Sequence, residues 1–320
     1  MPWRRRDTSD NTPIAVASRS FSQNGILRAE LEERYSDIRF NDEGIALKGD
    51  ALIEFARGRR KLITALERVD EGFLEALPEL QVISKYGVGT DMLDLRAMRR
   101  HGVRLGWTSG VNRRSVVELA IAFMIALLHE VPVSYCELRQ GTWKNRLGRQ
   151  LSGRTVGIIG CGNIGKDLVP ILRAFECTVL AHDILDFPGF YAKYEVQALS
   201  LEDLLRRSDI VTLHVPLDDG TRNMLSAEKL RLLKPGALLI NTARGGLVDE
   251  MALREMLVQG RLAGAGFDVF ATEPPDDVGL LRLPNFLCTP HIGGSSEEAV
   301  LAMGRAAIRG LDEHELPDAG

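Results

Sequence analysis

Thr155-Val156-Gly157-Ile158-Ile159-Gly160-Cys161-Gly162-Asn163-Ile164-Gly165 decides the fold. The first five residues form an uninterrupted apolar run, as expected of a strand buried on both faces. The next six read G-x-G-x-x-G, and a helical pattern continues to about Phe175. In a strand–turn–helix setting the three glycines have separate duties. Gly160 permits the tight turn, Gly162 lets the backbone approach a pyrophosphate, and Gly165 lets helix and strand pack closely. The helix start offers free N–H groups and a positive dipole end to phosphates. A further apolar run, Thr178 to Asp183, ends in an acid 18 residues after Gly165. An acid there accepts hydrogen bonds from ribose hydroxyls. Ile184-Leu185-Asp186 supplies no arginine for a 2′-phosphate, so NAD is expected rather than NADP.

Strand and helix patterns alternate on both sides of this unit. Downstream, Ile210–Val215, Ala237–Thr242, Ala263–Phe270 and Phe286–His291 read as buried strands. Leu201–Arg207 and Asp249–Gln259 read as helices, and Ser295–His314 as a last one. Upstream, Ile14–Ala17, Lys61–Leu66, Leu80–Ser84 and Val103–Trp107 read as strands between helical stretches Gly25–Arg34, Asp50–Arg57 and Met92–Arg100. Such alternation predicts parallel α/β sheets. Ser115–Arg139 reads as one long helix, apolar on most sides, and so buried in a core or an interface. Residues 1–12 are polar and basic and are expected to fray.

Three of the downstream strands lead into unusual polar residues: Arg244, Glu273 and His291. Ligands of open α/β sheets sit outside the carboxyl ends of strands, so these groups are expected to meet beside a nicotinamide. Alcohol oxidation needs a base near neutral pH, and an imidazole suits it. A carboxylate against its other nitrogen fixes the tautomer. Arginine holds a carboxylate bidentately. His101, His129, His182, His214 and His314 lack the Gly-Gly and loop setting of His291 and read as structural or surface residues.

Composition bounds the rest. The 320 residues suggest about two domains, and 45% hydrophobic with 26% charged residues is ordinary for a globular chain. A net charge of −4 gives no bulk reason to bind nucleic acid or an anionic membrane. Cys136, Cys161, Cys177 and Cys288 form no Cys-x-x-Cys pair, so neither a disulfide framework nor a metal site is expected. The longest apolar run, Val116 to Leu128, contains Glu118 and is too short to span a bilayer. Met1–Arg6 makes a poor secretory signal, so a cytoplasmic protein is expected.

Taken together, these motifs resemble those of NAD-dependent D-2-hydroxyacid dehydrogenases, in the branch that includes D-3-phosphoglycerate dehydrogenases. The resemblance runs from about residue 60 to 310. It rests on Lys85–Asp91, Asn112–Leu119, the Gly160–Gly165 turn, His214–Leu217, Asn241–Gly246, Phe267–Pro275 and Thr289–Gly294. It implies an α/β protein of two Rossmann-like or flavodoxin-like domains, each a doubly wound parallel sheet, with a cleft between them. The substrate domain would comprise 1–111 plus 293–320, and the NAD-binding domain 112–292. By the same resemblance Arg244, Glu273 and His291 form the catalytic set. Asp268 would orient the nicotinamide amide, and His214, Val215 and Pro216 would line the adenine site. Asn163, Ile164, Asp183, Thr242, Ala243 and Gly293 complete the cofactor contacts. Val88 and Gly89 would offer backbone N–H groups to a substrate carboxylate, with Lys85 and Asn112 nearby. The Ser115–Arg139 helix would be the arm of a homodimer.

Asn112 matches the phosphoglycerate branch, but two features depart from it. Ile63-Thr64-Ala65 stands where that branch has an Arg-Ser pair, and Lys85 where it often has arginine. A lysine binds an anion only as a point charge. Glyoxylate or hydroxypyruvate reduction, or oxidation of an unusual phosphorus-containing acid, would use the same core. A dinucleotide-sensing corepressor would keep the same three polar residues. No serine-binding regulatory domain follows Gly320, so no serine inhibition is expected.

Overall fold

A computed structural model describes residues 10–318 of the chain. Fraying is expected for residues 1–12, of which residues 1–9 lie outside the described residues. Asp10 is held: its N–H donates to the Arg34 carbonyl at 3.0 Å, and its carboxylate accepts from the Thr12 N–H at 2.9 Å. The chain divides into two compact units. One runs to Asn112 and resumes at Glu297, and the other is Arg113–Ser296.

The first unit carries β1 (Ile14–Val16), α1 (Arg19–Ser22), α2 (Gly25–Glu32), β2 (Ile38–Phe40), α3 (Asp50–Ala56), β3 (Lys61–Thr64), α4 (Glu71–Glu75), β4 (Val82–Lys85), α5 (Leu95–Arg100) and β5 (Arg104–Gly106). Its sheet is wholly parallel, in the order β2-β1-β3-β4-β5. Ile14, Leu62, Ile63 and Ile83 are fully buried in it, as strands covered on both faces require. The edge strand β2 is not expected from sequence. Three residues with half-buried side chains leave no periodicity to read.

The second unit contains α6 (Arg113–Leu128), α7 (Val131–Arg139), β6 (Thr155–Ile159), α8 (Asn163–Ala174), β7 (Thr178–His182), α9 (Pro188–Tyr194), β8 (Gln197–Ala198), α10 (Leu201–Arg207), β9 (Ile210–Leu213), α11 (Ala227–Leu230), β10 (Leu238–Asn241), α12 (Glu250–Val258), β11 (Gly264–Phe267), α13 (Val278–Leu281) and β12 (Phe286–Cys288). A final helix, α14 (Glu297–Gly310), returns to the first unit. There the Ser84 hydroxyl donates to the Ala307 carbonyl at 2.6 Å, and Gly106 meets Gly310 backbone to backbone.

The seven strands of the second unit are all parallel, in the order β12-β11-β10-β9-β6-β7-β8. Strand order reverses between β6 and β9, which marks a topological switch point. Helix α6 lies against β10, β11 and α8. It can do so because β11 is nearly bare: a Cβ on Gly266 would stand 2.9 Å from Phe123.

The single helix expected over Ser115–Arg139 is two. Glu130 has a φ of 52°, Pro132 stands in the first turn of α7, and the axes bend by 63°. The left-handed residue ends one helix and the proline starts the next. The two halves differ in burial. Helix α6 buries Val117, Ala120, Phe123 and Met124, whereas α7 buries no residue. Among the described residues no single helix is long and apolar enough to cross a membrane.

Candidate active site

The registers of the second unit align one residue from each of six strands. His182, Ile159, Leu213, Asn241, Phe267 and Cys288 are partners in turn across the sheet, and each is the last residue of its strand. Asp183, Gly160, His214, Thr242 and Asp268 are each the next residue along. Arg244 and His291 lie three residues past the row, and Glu273 six. The singled-out groups of this unit therefore leave one carboxyl edge, where ligands of such sheets bind.

At the switch point the turn is shaped by missing side chains. Gly160 has a φ of 94°, and a Cβ there would lie 2.7 Å from the His214 carbonyl. A Cβ on Gly165 would lie 2.4 Å from the Gly160 carbonyl oxygen. Around Gly162 the space is open, and no side chain caps α8. The N–H groups of the first turn, from Asn163 to Gly165, are thus presented to an anion beside a vacant Cβ position. The Asp183 carboxylate accepts from the Cys161 N–H at 2.6 Å and the Leu185 N–H at 2.8 Å. It braces the turn from the neighbouring strand. These features fit the pyrophosphate and ribose of a dinucleotide. His214 packs against the turn. Its Nε2 lies 2.9 Å from the Thr212 hydroxyl, and its Nδ1 is buried without a partner. Burial pulls its pKa down to about 3, so the ring is neutral near pH 7. The Thr242 hydroxyl, buried at the end of β10, likewise lacks a partner.

On the far side of the edge, carboxylates do the shaping. Asp268 is 1% exposed. One of its oxygens accepts from the Thr289 hydroxyl at 2.5 Å and the Ile292 N–H at 2.7 Å, and the other from the Gly293 N–H at 2.7 Å. Its own carbonyl accepts from the His291 N–H at 2.9 Å. This grip holds His291 at a φ of 56°, a conformation non-glycine residues seldom adopt. His291 Nδ1 then stands 2.9 Å from Glu273 Oε2, while Glu273 Oε1 accepts from the Phe270 N–H at 3.1 Å. The loop bearing Arg244 interlocks with this one. A Cβ on Gly245 would collide with the Phe270 carbonyl. Asn241 Nδ2 donates to the Arg244 carbonyl at 2.9 Å, and Arg244 Nη1 donates to the Ala243 carbonyl at 2.7 Å.

Lys85, Val88, Gly89 and Asn112 belong to the first unit. Lys85 ends β4, is 4% exposed and donates from Nζ to the Ala65 carbonyl. The Ala65 N–H donates to Glu67 Oε2 at 2.6 Å, so that residue is gripped at both its N–H and its carbonyl. The Val88 carbonyl accepts from Trp107 Nε1 at 2.9 Å. Asn112 lies in the turn before α6. One contact escapes sequence reasoning: Glu250 Oε1 accepts from the Ala271 N–H at 2.8 Å. An acid in the first turn of a helix reads as ordinary dipole chemistry, which hides it.

Residues 121–293 match the family described as D-isomer specific 2-hydroxyacid dehydrogenase, NAD binding domain. The D-3-phosphoglycerate dehydrogenase of Mycobacterium bovis is 38% identical over 240 residues, which are 74% of this chain and 46% of that protein. The chain thus spans about half the length of that relative. The glyoxylate reductase of Thermococcus litoralis is 32% identical over 309 residues, covering 93% of this chain and 92% of that one. A solved glyoxylate reductase from Paecilomyes thermophila superposes with a TM-score of 0.84 at 25% identity, over 95% and 96% of the two chains. With the glycine turn at the switch point and the polar groups along the same edge, these likenesses have one meaning: the chain belongs to the D-isomer specific 2-hydroxyacid dehydrogenase family and carries its NAD-binding domain.

Proposed function

We propose that the protein is an NAD-dependent oxidoreductase that interconverts a D-2-hydroxy acid and a 2-keto acid, with His291 as acid and base. The observation that carries this reading is the 2.9 Å contact of His291 Nδ1 with Glu273, on the sheet edge that also holds the glycine turn. NAD, when bound, gives or takes the hydride. With Nδ1 facing Glu273, Nε2 is the nitrogen left to exchange a proton with the substrate oxygen. Glu273 fixes the tautomer by holding Nδ1, which leaves Nε2 to pass a proton to the carbonyl on reduction. Arg244 is suited to clamp the substrate carboxylate and polarise the adjacent carbonyl. In this reading the second unit is the NAD-binding domain and the first the substrate domain. Val88 and Gly89 offer their amides to the carboxylate, with Lys85 and Asn112 beside them. Asp183 takes the ribose hydroxyls, Thr242, Ala243, Asp268 and Gly293 surround the nicotinamide, and His214, Val215 and Pro216 line the adenine.

Asn112 and the relative from M. bovis favour a phosphoglycerate-like substrate. The burial of Lys85, with its ammonium on the Ala65 carbonyl, favours a small unphosphorylated keto acid such as glyoxylate or hydroxypyruvate. NADH oxidation over a panel of 2-keto acids, phosphorylated and unphosphorylated in pairs, separates the two. No turnover on any of them, with NADH binding intact, would sink the enzymatic reading.

We also infer a cytoplasmic homodimer built on α6 and α7. Val131, Tyr135 and Leu138 of α7 are each at least half exposed, an unusual load of apolar surface for one short helix. Arg146 pins the loop after this helix through Glu137 at 2.6 Å and Glu130 at 2.7 Å. Tyr135→Glu with Leu138→Glu is expected to halve the mass measured by light scattering. An unchanged mass would exclude α7 as the interface.

A further inference from the structure

We propose that Glu250 is a positioning residue of the active site: its hydrogen bond to the Ala271 amide sets where the Glu273 carboxylate stands against His291. The proposal rests on the reading of Glu273 and His291 as the acid–base pair.

The loop that carries Glu273 has little to stand on. From Ala271 to Glu273 it is exposed, and its backbone joins neither sheet nor helix. A pocket of about 140 Å³ lined by Glu250, Phe270, Ala271, Thr272, Pro275 and Leu280 among others adjoins the start of this loop. Two ties fix its start. The Phe270 carbonyl is wedged against Gly245, and the Ala271 N–H is held by Glu250 Oε1 at 2.8 Å. A third contact, from the Phe270 N–H to Glu273 Oε1 at 3.1 Å, ties the carboxylate to the buried residue where the loop begins, so where Glu273 stands follows from how that start is held.

Glu250 is not needed to start its own helix. Asp249 already caps α12, accepting from the Ala252 N–H at 3.0 Å. The site is also a poor one for an acid. Burial raises the Glu250 pKa, and the carboxylates of Asp276, Asp277 and Glu273 add to the rise, while the Ala271 N–H opposes it. The cation on the same helix, Arg254, is turned to Asp277 at 3.3 Å. A long acceptor placed among like charges, with a loop amide as its partner, has its use in that amide. The reach of the side chain is the operative property, because a shift of about 1 Å in a reacting group can cost as much as 10²-fold in rate.

The test compares Glu250→Ala, Glu250→Asp and Glu250→Gln, alone and combined with Glu273→Gln, in the full chain with NADH and the best keto acid. Glu250→Ala is expected to lower kcat about 10- to 30-fold with KM for NADH within about twofold. Glu250→Asp keeps the charge but falls short of the amide, and is expected to lose nearly as much. It carries the test if the alanine variant does not fold. Glu250→Gln keeps an acceptor of full reach and should recover kcat to within about threefold. Added to Glu273→Gln, the alanine change should cost less than about twofold, because its target is already gone. A full loss in that background, or a glutamine variant as impaired as the alanine one, would overturn the proposal. Full activity in Glu273→Gln alone would instead remove the pair itself, and the positioning role with it.

Discussion

The two ends of the carboxyl edge are built by opposite means. At the switch point, the turn from Gly160 to Gly165 is shaped by side chains that are absent: one glycine for its backbone angle, one for contact with a carbonyl, one for open space. At the other end, Asp268 and Glu273 reach back to hold backbone amides in place. The first construction tolerates no added atoms at two of its positions and takes a single carboxylate, that of Asp183, as its brace. The second depends on acids whose partners lie up to 25 residues away along the chain. A ligand of fixed shape can be met by vacancy, whereas a proton-transferring group must be aimed.

The comparison breaks most visibly at His291. His291→Ala should lower turnover by roughly 10²–10⁴ while the NADH dissociation constant, read by fluorescence titration, stays within about threefold. Weakened NADH binding would mean that the two ends are not separable. Next in size are the glycines. Gly165→Ala places a Cβ 2.4 Å from a carbonyl oxygen, and should lower stability by about 1–3 kcal/mol, visible as a drop in Tm. Gly162→Ala meets nothing within 4 Å and should leave Tm unchanged while weakening NADH binding about tenfold. Equal effects of the two would erase the distinction between packing and access.

Asp268→Asn sharpens the other end. An amide cannot accept three hydrogen bonds as a buried carboxylate does, and the expected loss is about 1–3 kcal/mol in stability with kcat reduced about tenfold or more. Denaturant melts alongside steady-state kinetics measure both. An effect confined to acid concerns His214, whose folded pKa of about 3 lies below its unfolded value near 6.5. The unfolded chain therefore takes up a proton first as pH falls. His214 contributes fully above about pH 6.5, and that contribution is lost towards pH 3, with a slope of at most about 1.4 kcal/mol per pH unit. His214→Gln should flatten the stability curve over this window relative to the parent. An identical acid limb would show that the ring is not kept neutral by the fold.

Legibility in the sequence tracks the same contrast. The glycine turn is legible because conformational freedom is a property of the residue itself. Asp183, His291 and Arg244 are legible because polar residues at the ends of apolar runs have few other reasons to be there. The break at Glu130 is not, since a left-handed glutamate carries no local mark and Pro132 has meaning only once a helix start is known to precede it. Lys85 reads as a point charge for a substrate anion, and only tertiary packing shows it buried with its ammonium on the Ala65 carbonyl. Glu250 is hidden by the company it keeps, an Asp-Glu pair that opens a helix.

The six-strand row has a consequence for how such a protein can change. A one-residue slip in any of those strands would turn its side chains to the opposite face and unmake the core. Rewriting the loops beyond the row leaves the registers of the strands themselves unchanged. Innovation is thereby confined to the fringe, where reach past the last paired residue already varies from one position to six. A new acid could be accommodated by editing a handful of loop codons while the woven interior is inherited intact.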